Sequence, residues 1–357
     1  MSNDPDREFR LSCPAPRQTY STVQMAHGGG GRLMRNLIEQ MFLPAFGTGG
    51  TEEKSVPHDS AVLPLGDARV AFTTDTFVVS PLFFPGGDIG KLAVYGTAND
   101  LAMAGARPRW LSVGMILEEG LTMDSLQRIV ASMRATASEI GVKIVTGDTK
   151  VVDRGKGDGV FINTAGIGVV AEGIDVSPRR VTVGDRILVS GDLGRHGIAI
   201  MSVREGLEFQ GALDSDCGSL WGLVETMLAA DPQAVHCLRD LTRGGLASAL
   251  NEIAKDMAVG VELNEAAIPI AEPVAGACEL LGLDPLYVAN EGRLVAFVAP
   301  HAADRILDEM RRHPSAPQAS IIGTVLDHHP GLVELRGPLG GGRILDLLSG
   351  EQMPRIC

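Results

Sequence analysis

From position 60 onward the apolar residues fall into two alternating rhythms. Short apolar and β-branched runs occupy 61–65 and 70–74 and predict strands. The stretch 89–104 instead sets Leu92, Tyr95 and Gly96 at helical spacing among small residues and predicts a helix. A strand at 110–116, a helix at 122–140 and strands at 142–145 and 161–170 complete a first half. The rhythm breaks at Ser177-Pro178-Arg179-Arg180 and then resumes. The second half predicts a strand at 186–190, helices at 194–205, 220–230 and 245–255, a strand at 259–263 and a helix at 273–281. A strand at 294–298, a helix at 301–312 and a strand at 321–325 follow. Upstream, Leu33, Leu37, Ile38 and Met41 predict a short helix ending near Pro44, because a proline disfavours helix in the residue before it.

Such alternation predicts an α/β chain with mixed sheets in two domains, spanning 23–176 and 180–350. Residues 1–22 carry Pro5, Pro14 and Pro16 without periodicity and are expected to form a flexible extension; 351–357 are expected to form a mobile tail.

Composition narrows the function classes. A formal net charge of -13 opposes binding to nucleic acid, whose phosphates it would repel. No apolar run reaches membrane-spanning length, and the start MSNDPDREFR has no signal-peptide character. The five cysteines, Cys13, Cys217, Cys237, Cys278 and Cys357, are widely spaced and odd in number, which gives neither a disulfide framework nor a zinc pattern. A reducing, cytoplasmic setting is expected.

Several stretches carry candidate chemistry. His27-Gly28-Gly29-Gly30-Gly31-Arg32 cannot be a helix interior, but its backbone N–H groups can wrap an anion. Asp59, Asp75, Asp100 and Asp148 each have small or apolar neighbours and are expected where elements end; carboxylates converging from separate loops suit Mg²⁺. A Walker A loop is missing, and Gly166-Ile167-Gly168-Val169-Val170-Ala171 lies in an apolar strand rather than ahead of a helix, so it is no dinucleotide fingerprint. The stretches 190–197 (SGDLGRHG) and 239–246 (RDLTRGGL) each precede a helix and are both expected to bind anions. Asn290-Glu291-Gly292-Arg293 is a polar turn whose carboxylate could be a general base. The chain ends Met353-Pro354-Arg355-Ile356-Cys357, where Arg355 is expected to favour the thiolate of Cys357.

These stretches, with HDSAV, GDTKVV, the segment from TTDTFVV to AGARP and the terminal PRIC, resemble the HypE family of hydrogenase maturation factors, within the PurM-like ATP-binding superfamily. The resemblance runs from about His27 to Cys357. It implies a homodimer paired through its N-terminal sheets, with ATP and Mg²⁺ bound between the two domains. It implies that a carbamoyltransferase, HypF, loads the C-terminal thiol, that this chain dehydrates the S-carboxamide to a thiocyanate with ATP, and that the cyanide passes to iron on the HypC–HypD complex. By motif, Asp59, Asp75, Asp100 and Asp148 would hold metal. Gly28, Gly29, Gly30, Gly31, Asp75, Asn99, Asp100, Gly147, Asp148, Thr149, Asp240, Thr242, Arg243, Gly244 and Gly245 would bind ATP. Lys150 would contact phosphate or orient the carboxamide, Glu291 would relay its protons, and Cys357 would carry it. Selenophosphate synthetase shares the fold but needs a Cys or selenocysteine near its glycine loop, and 27–32 has none. A non-catalytic thiol carrier would not need the carboxylates or the Gly147-Asp148-Thr149-Lys150 stretch.

Overall fold

The computed structural model describes residues 20–46, 56–206, 213–348, 350, 353 and 355–357. The expected N-terminal extension lies outside the described residues apart from 20–22. Helix α1 (Arg32–Leu37) runs through a π-helical turn, Ile38–Phe42, into α2 (Leu43–Phe46). Pro44 therefore does not end the helix. It comes just after the widened turn, where the regular ladder of backbone bonds is already interrupted, so the proline is accommodated inside a continuing helix.

The first sheet has the order β1 (Ala61–Leu65), β2 (Ala68–Phe77), β7 (Val160–Val170), β5 (Ala106–Glu118), β6 (Lys143–Val152). Only β5 and β6 are parallel, joined across α4 (Met123–Glu139), whose first turn is capped by the Thr122 hydroxyl. A two-strand ribbon, β3 (Phe83–Phe84) and β4 (Gly87–Asp88), leads into α3 (Ile89–Met103). Asp88 caps that helix by accepting from the N–H groups of Gly90 and Lys91. Helix α3 is buried almost all round, as a helix wedged between two layers must be. Its Leu92, Ala93 and Val94 pack with the first sheet, and its Ala102 and Met103 join the core of the second.

That second sheet begins with β8 (Arg186–Val189), followed by α5 (Arg195–Glu205), α6 (Trp221–Ala230), β9 (Val235–Asp240), α7 (Gly245–Met257) and β10 (Gly260–Asn264). Then come α8 (Glu272–Leu281), β11 (Leu294–Val298), α9 (Ala303–Arg312), β12 (Ser320–Leu326), β13 (Val333–Arg336) and β14 (Gly342–Ile344), giving the strand order β14-β13-β10-β12-β8-β11-β9. Strand β11 is buried on both faces, which is why it reads as an unbroken apolar run. Leu294, Ala296 and Val298 meet α6 and α9, whereas Val295 and Phe297 meet α7.

Among the described residues, helices cover only one face of the first sheet. On the other face Leu63, Leu65, Phe72, Trp110, Ile116 and Ile167 are each 39% to 66% exposed. Register aligns Phe72, Ile167 and Trp110 directly across three strands of this open face.

Candidate active site

A cleft of about 430 Å³ opens between the two sheets, and carboxylates form its floor. Asp59 precedes β1, Asp100 lies in the last turn of α3, and Asp240 ends β9; one oxygen from each lies within 4.8 Å of the others. The Thr73 hydroxyl is 2.9 Å from both the Asp59 carbonyl and Asp100 Oδ2. Arg239 bridges Asp59 Oδ1 (2.9 Å) and Glu252 (2.8 Å), while Asp59 Oδ2 is buried without a hydrogen-bond partner. Burial, and then the neighbouring carboxylates, push Asp100 well above the usual range. Burial does the same to Asp59 against the pull of Arg239, and Asp240 is pushed up to about 6. His58 is driven down to about 3 by burial and by Arg239, so it is neutral and donates from Nε2 to Met103 O (3.2 Å).

The glycine loop closes one side. Gly30 has φ +72°, and a Cβ there would meet Arg243 O at 2.7 Å, so the loop lies directly on the Arg243-Gly244-Gly245 turn. Ser248 Oγ donates to Gly30 O (2.9 Å). Arg243 reaches toward Asp75 (3.7 Å), whose carboxyl is raised by burial and accepts from the Thr76 N–H (2.7 Å).

The chain end closes the other side. Val78 N–H donates to Cys357 O (3.1 Å), and Ser80 N–H donates to Arg355 O (3.2 Å). Met353 and Ile356 are buried in an apolar cluster with Phe77 and Val79 from one domain and Ile198 and Val274 from the other. Cys357 shares a small pocket with Gly28, Gly29, Thr76 and Arg243 at the edge of the cleft. Loss of hydration pushes its thiol up to about 12, although Arg243 pulls the other way. Arg355 does not act on the sulfur as expected, because its guanidinium is paired with Asp158; Arg243 is the cation beside the thiol, and burial outweighs it.

Residues 57–170 match the AIR synthase related protein, N-terminal domain, and residues 182–334 match the AIR synthase related protein, C-terminal domain. A curated relative from Azotobacter vinelandii, carbamoyl dehydratase HypE, is 54% identical over 336 residues, which is 94% of this chain and 97% of the relative. The chain belongs to the HypE family of carbamoyl dehydratases. Two solved structures agree with this. HypE in a HypE–HypF complex has 46% identity and a TM-score of 0.81 over 87% of this chain and 99% of its own. HypE in complex with ATP has 46% identity and a TM-score of 0.78 over 94% of this chain and 100% of its own.

Not every residue expected of a HypE meets in this cleft. Asp148 is mid-strand in β6 rather than at an element end. Register puts it in one row with Gly114, Asn163 and Thr76, three strand spacings from β2, or roughly 14 Å. It lies on the open face, whereas Asp75 shares the opposite face with Thr73 and Phe77, since side chains alternate along a strand. Asp148 pairs with Lys150 (2.6 Å) in solvent, which lowers the Asp148 carboxyl. Gly147, Thr149 and Lys150 share that edge strand, so the whole stretch lies apart from its own chain's cleft. Asp100, in the last turn of α3, and Asp75, near the end of β2, lie close to the element ends where they were expected.

Asn99 is buried, and its amide is used on Gly218 O (3.0 Å) and Leu220 N (2.8 Å). Asp192 of the 190–197 stretch is buried and paired with Arg195 and Arg293, and the Gly194 N–H is taken by Asn290 (2.7 Å). Of the two expected anion loops, only 239–246 lines the cleft. The turn at Glu291 is a buried knot: Asn290 also donates to Leu241 O and Val288 O, and Glu291 Oε1 is buried without a partner. Burial and the carboxylates of Asp240, Asp75 and Asp216 raise Glu291 well above the usual range.

The donor set fits Mg²⁺: three clustered carboxylates, one with a buried unpaired oxygen, offer only hard ligands and call for a cation. Asp240, expected as a nucleotide contact, is the third carboxylate of this cluster, and Asp148 is not among its members.

Proposed function

We infer that the cleft dehydrates an S-carboxamide on Cys357 to a thiocyanate at the expense of ATP. The observation that carries this reading is the seated tail, which puts the last sulfur against Arg243 at the rim of a carboxylate-floored cleft. A carboxamide oxygen leaves poorly. Transfer of the ATP γ-phosphoryl group to that oxygen turns it into a good leaving group. The C–O bond then breaks onto phosphate, the N–H electron pairs complete the C≡N bond, and both nitrogen protons depart. The net change is carboxamide plus ATP to thiocyanate, ADP and phosphate.

In this reading Arg243 and the backbone N–H groups of the glycine loop bind the transferring phosphoryl group. Mg²⁺, held by Asp59, Asp100 and Asp240 with Asp75 adjacent, would neutralise charge on the phosphates. Glu291 is the acceptor we assign to the nitrogen protons, because its carboxyl faces both the Cys357 thiol and Arg243, and it accepts in its ionised form. The seated tail excludes water from the phosphoryl group.

We assign the chain to a cytoplasmic homodimer of two-domain subunits, with HypF as the carbamoyl donor and the HypC–HypD complex as the cyanide acceptor. No helix among the described residues is long and apolar enough to cross a membrane. A dimer is supported by the open apolar face of the first sheet. The same face carries Asp148 and Lys150, so in a dimer they would face the second copy. Donor and acceptor proteins require the tail, 351–357, to leave its seat, so we treat it as two-state.

The test is ADP release in a single turnover. The chain carbamoylated on Cys357 should release one ADP per chain, and Cys357→Ala should release none while still binding ATP. Asp240→Asn should bind ATP weakly and turn over at least about 100-fold more slowly. Equal ADP release by Cys357→Ala would overturn the reading.

A further inference from the structure

One buried residue that the reaction does not use touches the tail directly. His196, in the first turn of α5, is fully buried. Its Nε2 lies 2.6 Å from Ile356 O, the carbonyl next to the reactive residue. Its Nδ1 lies 2.9 Å from Ser215 Oγ, which in turn accepts from Cys217 N–H (3.0 Å). A carbonyl can only accept, so Nε2 carries the proton. Burial disfavours the charged imidazolium, so Nδ1 is left to accept from the Ser215 hydroxyl. Every polar atom in this chain of bonds is satisfied, and the edge of the ring packs against Phe84.

The adjoining residue is shaped for the same contact. A Cβ on Gly197 would meet Val288 Cγ1 at 2.5 Å and Met353 Sδ at 3.2 Å, so a bare backbone lets Val288, with Met353 of the tail beside it, lie close on α5. Tail anchors nearer the surface are of another kind. Arg204 donates to Ser80 O (2.6 Å) and to Arg355 O, and Arg355 pairs with Asp158. The Arg355–Asp158 pair is partly exposed and individually weak. The His196 bond joins two buried residues, His196 and Ile356, in an interior where an unpaired carbonyl would be costly.

We propose that His196, oriented by Ser215, is a positioning residue that latches the Ile356 carbonyl, sets the depth of Cys357 in the cleft and fixes the balance between seated and released tail. This rests on the dehydratase reading for its purpose, but not for its test. The readout is alkylation of the unmodified chain by iodoacetamide, mapped to each cysteine by peptide mass. In the seated state Cys357 is half-buried and its thiol, held protonated by loss of hydration, reacts slowly, so its labelling rate rises with the released fraction.

His196→Phe keeps the ring volume and removes the donor. It should raise Cys357 labelling roughly tenfold or more, the effect of losing a buried hydrogen bond. Buried Cys237 and Cys278 should stay unlabelled, which separates release of the tail from unfolding. His196→Gln returns an N–H near the Nε2 position and should restore most of the wild-type protection. Ser215→Ala, a milder change outside the packed ring, should raise Cys357 labelling several-fold and keeps the test sound if His196→Phe fails to fold. The proposal is overturned if His196→Phe and Ser215→Ala label Cys357 at the wild-type rate, or if Gln protects no better than Phe. Loss of dehydration with normal protection would count against the chemistry and not against the latch.

Discussion

At the scale of single residues, a group's neighbours decide its state more than its type does. Cys357 has a cation beside it and is still held as a neutral thiol, because dehydration of the sulfur outweighs Arg243. The sequence pointed to Arg355 as that cation; Arg243 comes from a distant loop, and no local pattern joins it to the tail. His196 was hidden for the same reason. A lone histidine after Gly194-Arg195 gives no sign that it will meet the chain end. Asp240 stood out in the sequence as part of an expected anion loop, but its place in the carboxylate cluster depends on where β9 ends. The thiol also sets a pH dependence. Seated, it holds its proton up to about 12, against an ordinary value of 9.0, so the seated state binds more protons than the released state between those values. Seating should therefore be constant below about pH 8 and weaken as pH rises through that window. Methyl NMR of labelled Met353 should follow its shift from the buried to the free position, and Cys357→Ser should remove the dependence. The same titration in Cys357→Ser would show that another group controls the tail.

At the scale of elements, the sequence was legible wherever an apolar rhythm lasted. Helices α3 and α4 and strands β7 and β11 stand within a few residues of their expected positions, α4 and β7 because each buries one periodic face, α3 and β11 because each is an apolar stretch buried on almost all sides. The failures have physical causes. Strand β9 escaped notice because His236 and Arg239 interrupt its apolar residues, yet burial between β11 and the cleft makes it a strand. Strand β6 reads as ending at Val145, since Thr-Gly-Asp-Thr-Lys looks like a turn; its pairing with β5 carries it to Val152. That difference moves Asp148 from an element end to the middle of an edge strand. The Asn290–Arg293 stretch looks like a surface turn by composition, and it is buried because its polar groups are met from several sides. Hydrogen bonds that satisfy a polar turn are tertiary facts, and a single sequence does not display them.

At the scale of the whole molecule, the unequal faces of the first sheet demand explanation. One is covered by helices, and the other displays Phe72, Ile167 and Trp110 in a row with Asp148 and Lys150 farther along the same face. A sheet face this apolar is stable in water when another surface covers it. Light scattering should return twice the mass of one chain, and Trp110→Asp should shift the mass toward one chain. A single-chain mass for the wild type across a wide concentration range would contradict the dimer. The central claim, however, is that two domains and a chain end form one reaction chamber for Cys357. It is tested most directly by the mass of the tail peptide after loading with carbamoyltransferase and carbamoyl phosphate and then adding ATP. The account predicts a gain of one carbamoyl group on Cys357, followed by loss of one water on addition of ATP. A carbamoyl group that maps to Cys13, Cys217, Cys237 or Cys278, or one that stays unchanged on Cys357 in the presence of ATP and Mg²⁺, would contradict it.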